Sequence, residues 1–98
     1  MSRRFTVRPQ AEAEFDEAAA WYSARSGGVG ADFVRVVDAT LAAIERNPLQ
    51  FPKIYGAMRR AVLRRFPYAV LFTASDEEIV VFSVFHSRRD PRRWQSPS

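Results

Sequence analysis

Residues 58–85, MRRAVLRRFPYAVLFTASDEEIVVFSVF, carry the pattern on which the fold turns. Apolar side chains recur there at alternate positions or in short unbroken runs bounded by turn residues, which is the period of extended strands. Pro67 separates the first run from the second, and Ser75-Asp76-Glu77-Glu78 separates the second from the third. The segments 58–66, 68–73 and 78–85 are therefore predicted as three strands. Connections this short join antiparallel neighbours, so the three form a meander. The last is apolar on both faces except at Ser83, which calls for a central or doubly covered place in the sheet.

Upstream the period is that of a helix. Ala11, Phe15, Ala18, Trp21, Tyr22 and Arg25 follow three-four spacing and predict an amphipathic helix over 10–25, with Pro9 suited to its first turn. Glu12, Glu14, Asp16 and Glu17 put negative charge near its start and read as a solvated face. Trp21 and Tyr22 read as hairpin core or interface. Ser26-Gly27-Gly28 ends this helix, and a second begins near Gly30 with Phe33, Val36, Val37, Thr40, Leu41 and Ile44 inward. It stops at Asn47-Pro48, because proline lacks the donor and disfavours helical geometry in the preceding residue. Two such helices with a short glycine link form an antiparallel hairpin.

Phe5-Thr6-Val7-Arg8 ahead of Pro9 reads as a short strand near a sheet edge. Residues 51–56 read as a connector with aromatic anchors, and the last three residues, 96–98, as a frayed end. The order is thus β-α-α-β-β-β: one α+β domain over residues 1–98, a helical hairpin packed on a small, mainly antiparallel sheet.

Composition narrows the chemistry. A chain of 98 residues buries about 65% of its extended surface, enough for one small core. No apolar run approaches the roughly 20 residues of a bilayer span, and no apolar stretch follows the basic N-terminus, so a cytoplasmic protein without membrane contact is expected. With no cysteine and one histidine, neither a metal site nor a cofactor is expected. The net charge of +4 is unevenly spread: residues 1–50 carry six arginines and seven acidic side chains, residues 51–98 nine cations and four acidic side chains. Such segregation favours an anionic partner, and arginine forks suit phosphate and carboxylate.

The candidate binding residues are accordingly Arg59, Arg60, Arg64 and Arg65, then Arg88, Arg89, Arg92, Arg93 and Trp94. On a continuous strand the first two pairs would each place one guanidinium on either face, Arg60 and Arg64 in line about 14 Å apart on one and Arg59 and Arg65 in line on the other. Trp94 either stacks on a ligand or pins the tail to the core. His86, at the end of the last strand, could act as acid or base or simply terminate the strand.

The pattern as a whole resembles the RelE/ParE superfamily of bacterial type II toxins, in the branch of plasmid stabilisation proteins. The similarity rests on Val7 to Phe15 (VRPQAEAEF) opening the first helix, and on Ile44-Glu45-Arg46-Asn47-Pro48 with Phe51-Pro52 closing the second. It also rests on Arg59 to Tyr68 (RRAVLRRFPY), and on Val84-Phe85-His86 followed by Arg88-Arg89-Asp90-Pro91 and Trp94. The resemblance implies a growth-inhibiting toxin neutralised by an acidic, partly disordered antitoxin that orders on binding. It implies also that the complex represses its own operon through DNA contacts made mainly by the antitoxin.

Members of the superfamily divide by mechanism. ParE-like toxins poison DNA gyrase and need a binding surface. RelE-like toxins cut mRNA in the ribosome and need a base, cations and an acid. Here arginines are plentiful, but only His86 is an obvious titrating group, and the chain lacks the C-terminal tyrosine that several ribonuclease members use. The gyrase-directed reading is favoured. The alternatives are a ribosome-dependent endoribonuclease with His86 and Arg65 catalytic, and an antitoxin-binding module without toxicity.

Overall fold

The computed structural model describes residues 3–88. Along the chain run β1 (Arg4–Val7), α1 (Pro9–Arg25), α2 (Val29–Arg46), a 3-10 turn (Pro48–Gln50), β2 (Lys53–Tyr55), β3 (Met58–Val62), β4 (Tyr68–Ala74) and β5 (Glu78–His86). The sheet order is β1-β5-β4-β3-β2. β1 pairs with β5 in parallel, Phe5 opposite Ile79 and Val7 opposite Val81, and every other pairing is antiparallel. The expected α+β class, helical hairpin and β3-β4-β5 meander are all present. β5 lies between two strands, as its apolar faces require.

Two details differ from the sequence reading. The supposed connector contains β2, which pairs Lys53 with Arg59 and Tyr55 with Met58 across an irregular register. β3 stops at Val62 instead of running to residue 66, because Leu63 and Phe66 both turn inward around Pro67. The Tyr68 N–H reaches back to the Phe66 carbonyl at 2.8 Å, closing a tight turn over the proline, which has no N–H of its own.

The helices cover one face of the sheet. Phe33, Val37 and Ile44 of α2 and Ala11 and Ala18 of α1 pack with Ala61, Val70, Phe72, Ile79, Val81 and Val84. The opposite face carries a smaller cluster of Ala69, Leu71 and Phe85, flanked by Ile54 and Met58. Of the two places expected for Trp21, core or interface, the core is excluded: it is 45% exposed, with the Arg25 guanidinium 3.9 Å over its ring.

Gly28 caps α2 at φ 87°, a left-handed value that a side chain disfavours. Gly30 matters for space instead. A Cβ there would stand 1.8 Å from Ser23 Oγ and 2.9 Å from Ser23 Cβ, so the hairpin closes on this residue. Gly30→Ala is expected to destabilise the fold by about 1–2 kcal/mol, overpacking outweighing the gain in helix propensity. Urea unfolding should show this, with Ser23→Gly recovering part of the loss.

Candidate functional site

The arginines of the β3 region are distributed by the end of the strand. Arg59 pairs with Phe72 and is half-buried, and its Nη1 donates to the Phe51 carbonyl at 2.6 Å, tying β3 to the segment before β2. Arg60 lies opposite Leu71 on the face away from the helices, and its Nε is buried without a hydrogen-bond partner. The expected split of this pair between the two faces is therefore observed.

Arg64 and Arg65 are not in line with them. Both lie in the bend after β3, and Arg65 sits at φ 71°, in the left-handed region where a Cβ is unfavourable. The alternation that would set Arg64 about 14 Å along from Arg60 is lost there. Arg65 Nη2 stands 3.6 Å from Asp32 Oδ2, and its guanidinium lies 5.3 Å from the Phe66 ring centroid. Asp32 also accepts a hydrogen bond from Arg35 one turn along α2. These ion pairs are well solvated, with more than half of each arginine side chain exposed, so they orient more than they stabilise.

This arrangement forms one end of a groove of about 560 Å³ between α2 and the end of β3. Among the described residues its cations are Arg35, Arg64 and Arg65, and its carboxylate is Asp32. Val36, Ala39, Ala43, Phe51 and Val62 supply the apolar lining. Val62 is 58% exposed despite being aliphatic. Sequence reasoning identified Arg64 and Arg65 but not the groove, since α2 meets them only through the fold.

His86 is placed elsewhere. It pairs with Tyr68 at the end of β5, its ring 5.1 Å from the Tyr68 ring in an edge-to-face contact. Its Nδ1 accepts the Arg88 N–H at 3.2 Å, and Ser87 N–H donates to the Pro67 carbonyl at 2.8 Å. Arg65 thus meets Asp32 and Phe66, and His86 meets Tyr68 and the backbone of Arg88. Arg88 is exposed, whereas Arg89, Arg92, Arg93 and Trp94 lie outside the described residues.

One polar residue was misread. Glu14 is half-buried, and its Oε1 accepts from Ser83 Oγ at 2.8 Å and from the Val84 N–H at 2.9 Å. β1 ends at Val7, so among the described residues no strand flanks β5 on that side beyond Val81, and Glu14 supplies an acceptor there. A register shift in the β4–β5 ladder, between Leu71–Ser83 and Phe72–Val81, inserts Phe82 just before this point. The lone polar Ser83 in an apolar strand was the available signal.

The sequence profile described as "ParE toxin of type II toxin-antitoxin system, parDE" matches residues 5–91. "Toxin ParE2" of Mycobacterium tuberculosis (strain CDC 1551 / Oshkosh) is 29% identical over 92 residues, covering 93% of this chain and 88% of the relative. "Toxin ParE2" of strain ATCC 25618 / H37Rv matches to the same extent. A chain of the solved chromosomal ParDE TA system from P. aeruginosa superimposes with a TM-score of 0.76 at 17% identity, over 87% of this chain and 96% of that one, a likeness of fold. With the profile spanning nearly all of β1 to the end of β5 and beyond, the protein belongs to the ParE toxin family of type II toxin-antitoxin systems.

Proposed function

We propose that the chain is a growth-inhibiting cytoplasmic toxin that acts by binding DNA gyrase and is held inactive by an acidic antitoxin. The match to the ParE toxin profile over residues 5–91 carries this reading. The names of the mycobacterial relatives, "Toxin ParE2", support it. The charge distribution is also consistent with it: an acidic antitoxin complements the excess of arginine in the second half. In this reading Arg59 and Arg60 hold the sheet, while Arg64, Arg65 and Arg88, with Arg89, Arg92, Arg93 and Trp94 beyond them, form the contact surface. Operator DNA is engaged through the antitoxin complex.

A non-enzymatic mechanism is favoured because ribonuclease chemistry needs a base within hydrogen-bond reach of a ribose hydroxyl and a cation beside the same phosphate. His86 is instead turned onto Tyr68, with Nδ1 occupied by the Arg88 N–H, and Arg65 is directed to Asp32. His86→Ala is therefore expected to leave growth arrest within about twofold of wild type. Arrest is read as colony-forming units after induction without antitoxin, and co-expression of the acidic product of the adjacent reading frame should restore growth. Loss of arrest in His86→Ala, with new in-frame transcript ends made only by the wild type, would support the endoribonuclease instead. Induction of the wild type without any effect on growth would leave only a binding module.

A further inference from the structure

We infer that a cavity between α1, α2 and the β1–β5 side of the sheet binds a small arylalkyl amine, its ring enclosed by the helices and its ammonium held at the mouth by Glu12 and Asp38. The site is separate from the groove beside β3 and stands independently of the toxin reading.

The cavity measures about 180 Å³. On α1 its wall is the fully buried Ala11, a short side chain that leaves room toward Val37 and Leu41 of α2. β5 supplies the floor. Strict alternation would put Val81 and Ser83 on one face, but the register shift that inserts Phe82 turns Val84 to the helices together with Val81. Ser83 Oγ and the Val84 N–H both donate to Glu14, at 2.8 and 2.9 Å, so the polar groups of this stretch are satisfied and the floor is apolar. An apolar cavity of about 150 Å³ is known to take up benzene, so this one has room for a single six-membered ring. A helix about 10 Å across does not enter it.

Charge selects the head group. The mouth carries Glu12 from the first turn of α1 and Asp38 from α2, both exposed. Among the described residues no cation lines the cavity, and neither carboxylate has an ion-pair partner. The arginines closest along the chain are engaged elsewhere: the Arg8 guanidinium lies 5.7 Å from the Phe82 ring centroid, and Arg35 binds Asp32. Two carboxylates on the rim of one apolar cavity repel an anion and attract a cation.

Exposed ion pairs are individually weak, so burial of the ring supplies most of the affinity and the carboxylates supply the selectivity. An arylalkyl amine joins the two requirements, one ring of the right size and one ammonium on a short arm. A linear polyamine lacks the ring and would carry further charge into the apolar interior. The probe chosen is 2-phenylethylamine, which is protonated at neutral pH. Its isosteres 2-phenylethanol and phenylacetate carry a neutral and an anionic head group on the same ring. For a ligand of about nine non-hydrogen atoms at ordinary ligand efficiency, a Kd of about 1 mM is expected.

The test titrates the full, methyl-labelled chain with each of the three compounds and follows it by NMR. With the amine, saturable shifts are expected at the methyl groups of Val7, Val37, Leu41, Val81 and Val84. The alcohol should bind about three- to tenfold more weakly, and phenylacetate more weakly still. The double variant Glu12→Gln with Asp38→Asn, altered only at exposed positions, should bring amine and alcohol within about twofold of each other and remove the salt dependence of amine binding. Leu41→Trp from α2 and Ala11→Leu from α1 each fill the cavity and should abolish saturable binding. Circular dichroism and urea midpoints show which of them fold, one folded filling variant is sufficient, and the wild-type shifts locate the site without either. Absence of saturable shifts at these methyl groups up to about 10 mM amine, shifts centred elsewhere, or undiminished binding in a folded filling variant overturns the site. Equal affinity of the wild type for amine and alcohol, or a preference for the amine that survives in the double variant, overturns the assignment of the ligand.

Discussion

Phe33→Ala is expected to destabilise the protein by about 3–5 kcal/mol, the range for truncating a fully buried aromatic residue. The Phe33 ring lies 6.0 Å from Phe15, 5.2 Å from Tyr22, 5.2 Å from Phe66 and 5.3 Å from Tyr68, measured between ring centroids. It therefore joins α1, α2, the turn after β3 and the start of β4 at a single point. Removing it leaves a cavity and also dissolves aromatic contacts worth something beyond their area. For a domain whose total stability is about 5–15 kcal/mol this is a large fraction, equivalent to a fall in melting temperature of roughly 15 °C or more. Phe33→Leu, which keeps most of the volume, should cost about 1–2 kcal/mol. A Phe33→Ala loss below about 1 kcal/mol in urea unfolding would show that the core is not organised around this ring.

The second large effect is expected at a charged residue. Glu14→Ala should cost about 2–3 kcal/mol, because it strands the Val84 N–H and the Ser83 hydroxyl, each of which now donates to the same carboxylate oxygen. Glu14→Gln retains a carbonyl acceptor and should cost about 1 kcal/mol. Hydrogen exchange gives the sharper check: the Val84 amide should lose protection in Glu14→Ala well beyond the amides of β4. Equal stability of all three proteins would mean that water replaces the carboxylate at no cost.

These two residues mark how far the sequence could be read. Phe33 was legible because burial leaves a periodic imprint: Phe33, Val37 and Ile44 are buried on one helical face. Pro9, Gly28 and Asn47-Pro48 likewise announced helix ends through backbone geometry that is local to each residue. Glu14 was not legible, since its acceptor role depends on β1 ending at Val7 and on parallel pairing with β5, some 70 residues away in the chain. β2 was missed because three residues are too few to show a period, and because a partner register, not composition, defines them.

The candidate site divides in the same way. The presence of Arg59, Arg60, Arg64 and Arg65 was plain, but their grouping was not. A continuous strand was expected, whereas the chain bends after Val62 and Arg65, in the left-handed region, reaches Asp32 on α2. The groove exists only where α2 and β3 meet, so no linear motif records it. His86 showed the converse: its chemistry stood out in the sequence, and its surroundings turn it toward Tyr68 and the Arg88 N–H.

The most direct test of the central claim, a toxin that works by binding DNA gyrase, is a supercoiling assay with purified gyrase, relaxed plasmid and increasing amounts of the wild-type chain. The account predicts loss of supercoiling with accumulation of protein-linked cleaved DNA, reversed by the acidic antitoxin and unaffected by His86→Ala. Unimpaired supercoiling without trapped DNA, at protein concentrations well above those that arrest growth, would contradict it.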